Sequence, residues 1–138
     1  MSIMAKRRRR GYSAERELVK KLKERNIWAT RIPVSGIGQP LPDVLAVSKG
    51  VLHGFEVKTT KGPKKFYKRS FDNTLLWLNA MLNEELKAKA WLAVKFKGNT
   101  WRFYPLLEDT ENIEANINIG LTFAQLLAEL KKERLDKA

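Results

Sequence analysis

The chain has 138 residues, enough for one domain with a buried core, and no apolar run long enough to span a membrane or form a signal core. It has no Cys, which excludes disulfides and thiolate metal sites and fits a soluble, intracellular (cytoplasmic) protein. Lys and Arg number 27 against 15 Asp and Glu, and a net charge of +12 draws polyanions through counterion release. Residues 1–12, with KRRRRG, read as a flexible basic arm whose Arg7, Arg8, Arg9 and Arg10 contact phosphates, ahead of a single domain over residues 13–138. SAERELVKKLKER predicts a helix capped by Ser13, with Leu18, Val19 and Leu22 on one stripe. Glu15 falls on the centre line of that stripe, where a carboxylate is costly unless something compensates it; Glu17 and Glu24 fall on the far side.

IWATRIPV then predicts a strand and SGIGQPLP a loop. DVLAV and LHGFEVKTT form two strands joined at SKG. KGPKKFYKRS is a basic loop in which Phe66 and Tyr67 are candidates for nucleic-acid contact. FDNTLLWLNAMLNEELKAKA predicts a second helix whose apolar residues spread too widely for one core face. WLAVKF and WRFYPL make a hairpin across Gly98-Asn99, NIEANINI a short strand, and TFAQLLAELKKERL a last helix with Thr122 and Gln125 in capping-box spacing. The order implies an α/β fold, a mixed sheet flanked by helices.

Between residues 25 and 71 lie nine Lys or Arg but only two acids, Asp43 and Glu56. On a pleated strand Glu56 and Lys58 share a face. If Asp43 shares it too, the hairpin register can set Asp43 directly opposite Glu56, with Cβ atoms roughly 5 Å apart; the alternative register sets it beside Phe55 unless a bulge at Gly54 intervenes. Two carboxylates that close repel, so one is protonated or a cation lies between them. With only oxygen ligands, that cation would be Mg²⁺ or Mn²⁺. Glu15 could be a third ligand, direct or through water, and Lys58 could stabilise charge developing on a phosphoryl group. His53, on the opposite face, reads as structural. Ser35 and Arg31 read from the residues alone as a turn serine and a surface arginine.

Pro42-Asp43, twelve intervening residues and Glu56-Val57-Lys58 resemble the PD-(D/E)xK nuclease signature. GYSAERELVKKLKERN, TRIPVSG, LPDVLAV, FEVKTT, LAVKF and WRF occur in the order seen in archaeal Holliday junction resolvases, a resemblance running from about Gly11 to the last helix. It implies a restriction-endonuclease-like fold in an archaeal cell or virus. The implied activity is that of a homodimeric, Mg²⁺-dependent endonuclease cutting four-way DNA junctions symmetrically to 5′-phosphate and 3′-hydroxyl ends. It assigns metal binding to Glu15, Asp43 and Glu56, charge stabilisation to Lys58, and an active-site place to Ser35, with Arg31 matching a basic residue near that serine. Trp77 and Met81 look like the dimer contact of the second helix. Arg16, Arg31, Lys61, Lys64, Lys65, Lys68 and Arg69 join the arm as nucleic-acid contacts. The alternatives are a nuclease of this fold acting on duplex or other branched DNA, and a non-catalytic DNA-binding architectural protein.

Overall fold

The structure is a computed structural model that describes the backbone of residues 3–33 and 38–132, and side chains from residue 11 onward within that span. The first helix, α1, covers Ile3–Lys23. It therefore starts ten residues before Ser13, and the expected Ser13 cap is not its beginning. Arg and Lys are strong helix formers, no proline interrupts the run, and a single interior glycine at Gly11 costs only about 1 kcal/mol. Lys20, Lys21 and Lys23 in the last turn suit the negative end of the helix dipole.

Five strands follow as one sheet in the order β1-β2-β3-β5-β6: β1 (Trp28–Arg31), β2 (Val44–Ser48), β3 (Val51–Thr60), β5 (Ala88–Phe96) and β6 (Thr100–Leu106). β1, β2 and β3 are antiparallel neighbours, β3 and β5 are parallel, and β6 returns antiparallel to β5. Lys49 and Gly50, with φ of 53° and 77°, make the two-residue turn between β2 and β3. The parallel crossover from β3 to β5 carries α2 (Asp72–Asn83). That helix ends earlier than its sequence suggests, because the chain turns at Glu85 (φ 60°) and Ala88 already belongs to β5. The expected loop KGPKKFYKRS is instead β4 (Lys64–Tyr67) with a 3-10 turn, paired with β7 (Asn112–Ala115) in a separate two-stranded sheet. This pairing is non-local, so nothing near β4 in the sequence announces it.

Two cores sandwich the large sheet. On one face Leu18 and Leu22 of α1 and Leu126 and Leu130 of α3 (Phe123–Leu130) cover Phe55, Val57, Trp91 and Phe103. The expected capping box of Thr122 and Gln125 opens α3. On the other face Leu75, Trp77 and Leu78 of α2 meet Leu92 and Val94, with Phe66 and Phe71. Being central and covered on both faces, β3 is buried from His53 to Val57 without a break. A charged residue at position 56 is thereby forced into the interior.

Candidate active site

Val44 pairs with Phe55 and Leu45 with Gly54, the register that runs toward Asp43 and Glu56; the pairing is regular at Gly54, so no bulge lies there, and it ends at Val44. Beyond that pair the Asp43 N–H donates to the Phe55 carbonyl at 2.9 Å, one residue off the register, so the ladder steps at Asp43 itself. Gly54 has a different task. A Cβ there would lie 2.5 Å from the Trp77 ring, so the missing side chain lets α2 press onto the sheet.

The Asp43 carboxylate is anchored by the Val57 N–H, which donates to Oδ2 at 2.8 Å. It stands within hydrogen-bonding range of Glu56. The Glu56 carboxylate is held from two further sides: the Thr74 hydroxyl of α2 donates to Oε1 at 2.8 Å, and Lys58 Nζ lies 3.4 Å from Oε2. Burial and then the Asp43 charge push the Glu56 pKa up to about 7, although Lys58 and Thr74 pull the other way. The electrostatic conflict expected from two facing acids is therefore present.

Glu15 comes from the opposite face, where α1 crosses the sheet. Its Oε1 accepts from Arg31 Nε at 3.0 Å, and the Arg31 guanidinium stacks on Tyr12 with its carbon 4.0 Å from the ring centroid. Burial and the Asp43 charge raise the Glu15 pKa, while Arg31 and Lys58 act to lower it. Glu15, Asp43, Glu56 and Lys58 thus form one electrostatic group. Among the described residues, however, no three acidic, His or Cys side chains close to metal-ligand spacing. Glu15 is drawn to Arg31, and Asp43 with Glu56 is the tight pair. A half-buried carboxylate beside a buried one, with an ammonium on one side only, is a donor set that suits a hard divalent cation.

Of the other expected residues, Ser35 lies outside the described residues, as do the side chains of Arg7, Arg8, Arg9 and Arg10. Arg16, Lys61, Lys64, Lys65 and Arg69 are exposed, and Lys68 is half-buried. Lys58, Lys64, Lys65, Tyr67 and Arg69 help line a groove of about 250 Å³ that shares Lys58 with the acidic group, with Lys65 also 3.6 Å from Glu114. Tyr67 is 55% exposed on that groove, whereas Phe66, 5% exposed because the alternation of β4 turns it into the core, contributes only an edge to the groove floor. Trp77, expected at a partner contact, is 5% exposed and packs within the chain against Gly54. Met81 is half-buried, and the exposed apolar residues of that region are Leu76, Leu82 and Leu86. A larger cavity of about 590 Å³ lies among Leu78, Leu82, Ala88, Leu106 and Leu107. It shares no lining residue with the acidic group and offers mostly hydrocarbon.

His53 is buried and structural, as expected: Nδ1 accepts from Trp91 Nε1 at 3.1 Å, and burial lowers its pKa to about 4. Glu17 is a miss, since it bonds Lys95 at 2.7 Å and Trp101, tying α1 to β5 and β6 rather than facing solvent. Thr74 and Tyr12 were missed as well. Neither carries a pattern signal, because each acts through a neighbour brought by the fold.

The archaeal Holliday junction resolvase (Hjc) family matches the chain over residues 6–135. The chain belongs to that family. Among relatives of this resolvase family, crossover junction endodeoxyribonuclease Hje of Saccharolobus solfataricus is 33% identical over 129 residues, covering 92% of this chain and 93% of that protein. The Hje protein of Sulfolobus acidocaldarius is 31% identical over 122 residues, covering 86% and 85%. The solved structure of Archaeoglobus fulgidus Hjc superposes with a TM-score of 0.67 at 23% identity, over 91% of this chain and 99% of that one, and shows the fold.

Proposed function

We propose that this chain is an endodeoxyribonuclease that resolves four-way DNA junctions by hydrolysing phosphodiester bonds. The observation that carries the reading is the pair of Asp43 and Glu56 in contact beside Lys58, within a basic stretch of a resolvase-family fold. A surface that only bound DNA would gain nothing from buried acids facing phosphates, which disfavours the architectural alternative.

Asp43 and Glu56 would hold Mg²⁺ or Mn²⁺, with Glu15 beside them, and the bound ion supplies Lewis acidity toward a phosphoryl oxygen and makes water a stronger acid. The chain's own groups do the remainder. The Val57 N–H and the Thr74 hydroxyl fix the two carboxylates in direction. Lys58 presents its ammonium on the face of Glu56, where it can pair with a non-bridging phosphate oxygen as negative charge grows. Arg31 restrains Glu15 and, stacked on Tyr12, keeps positive charge at the rim. Lys64, Arg69 and their neighbours hold the strand by its phosphates, a contact that reads shape rather than base sequence.

Cutting a junction into two duplexes takes incisions in opposed strands, and a two-fold homodimer would supply two equal sites at fixed separation. Exposed Leu76, Leu82 and Leu86 are the apolar surface that such a partner would cover. No helix among the described residues is long and apolar enough to cross a membrane. The test offers the protein a synthetic four-way junction and a linear duplex of the same arm sequence, with and without Mg²⁺. Cleavage confined to the junction and dependent on Mg²⁺ is expected; equal cutting of the duplex would reject junction selectivity.

A further inference from the structure

Thr74 is wholly buried in the first turn of α2, on the helix that covers the Glu56 face of the sheet. Its hydroxyl spends its one proton on Glu56 Oε1 at 2.8 Å, a bond that crosses from helix to strand. The same carboxylate also meets Lys58 Nζ at 3.4 Å and the charge of Asp43. Lys58 is itself partly exposed and is drawn toward whatever phosphate enters, so it cannot fix the carboxylate in place. Thr74 can, since both its backbone and its methyl group are locked in the core.

We infer that Thr74 is a positioning residue that holds the Glu56 carboxylate in its working orientation, coupling the seating of α2 to the hydrolytic site. This rests on the function proposed above. Wholly buried, its side chain would reach neither a phosphate nor a scissile bond. A β-branched side chain with few rotamers is suited to the task, because little freedom is left for the hydroxyl to swing away. Groups that orient ligating carboxylates typically cost 10–100-fold in metal affinity or activity when removed.

The test compares wild type, Thr74→Val and Thr74→Ser in three measurements: single-turnover cleavage of a four-way junction, junction affinity without divalent ions, and Mn²⁺ binding followed by electron paramagnetic resonance. Thr74→Val should lose about 10–100-fold in cleavage rate and in Mn²⁺ affinity while junction affinity stays within about twofold; Thr74→Ser should recover most of both losses. If Thr74→Val unfolds, Thr74→Ala removes the same hydroxyl and takes its place. Wild-type rates and Mn²⁺ affinity without the hydroxyl would overturn the inference, as would Thr74→Ser failing as badly as Thr74→Val, which would mean that core shape matters and the hydroxyl does not. A wild-type chain that cuts no junction would remove the functional reading alone, whereas loss of Mn²⁺ affinity in Thr74→Val would still support the positioning role.

Discussion

Replacing Glu56 by Gln should stabilise the protein at alkaline pH while destroying its chemistry. Glu56 is 9% exposed, and its pKa rises from the ordinary 4.5 to about 7. Because the folded value is the higher one, the folded state keeps this proton after the unfolded chain has lost it. Stability therefore falls as pH rises from about 4.5 to about 7, and the full penalty is present by pH 8. That interval corresponds to about 3 kcal/mol. Gln retains an acceptor for Thr74 and offers Asp43 a donor, and the value of about 7 already includes the pull of Lys58, so no separate loss is subtracted. Glu56→Gln should therefore be more stable than wild type by about 3 kcal/mol at pH 8 and nearly equal to it at pH 4.5. Urea unfolding in EDTA, followed by tryptophan fluorescence at several pH values, measures the difference. A gap between the two proteins that does not change with pH would refute the claim that Glu56 is ionised against its surroundings.

Gly54→Ala should cost about 1–3 kcal/mol in the same unfolding assay, since its Cβ would meet the Trp77 ring at 2.5 Å and both sides are packed. Lys64→Ala combined with Arg69→Ala should weaken junction binding and flatten the dependence of log affinity on log salt by about 2, as measured by titrations at several salt concentrations. An unchanged slope would place the DNA elsewhere.

The hairpin that makes the site was legible because strand geometry has a period of two. Once Asp43 and Glu56 are set on one face, few registers remain, and the one formed runs toward them through Val44 and Phe55, with a one-residue step at Asp43 that the pattern did not announce. The burial of Glu15 was legible for a similar reason, as a charge on an apolar stripe. Its bond to Arg31 was not, because that depends on where β1 lands beside α1. Trp77 reads as a surplus apolar residue on its helix, and only the approach of Gly54 from β3 explains where the indole goes. The alternation in Lys64–Tyr67 was hidden by its charge, and its partner β7 lies more than forty residues away. Contacts between neighbours in sequence follow from pattern. Contacts between layers follow from packing, which one sequence does not print.

The most direct measurement is Asp43→Asn assayed twice, for junction binding by mobility shift and for junction cleavage in Mg²⁺. Asn keeps the size of the side chain and can still accept from the Val57 N–H, so the fold should stand. Intact binding with cleavage abolished is the predicted result. Cleavage at the wild-type rate would show that the scission is carried out by groups other than this acidic pair.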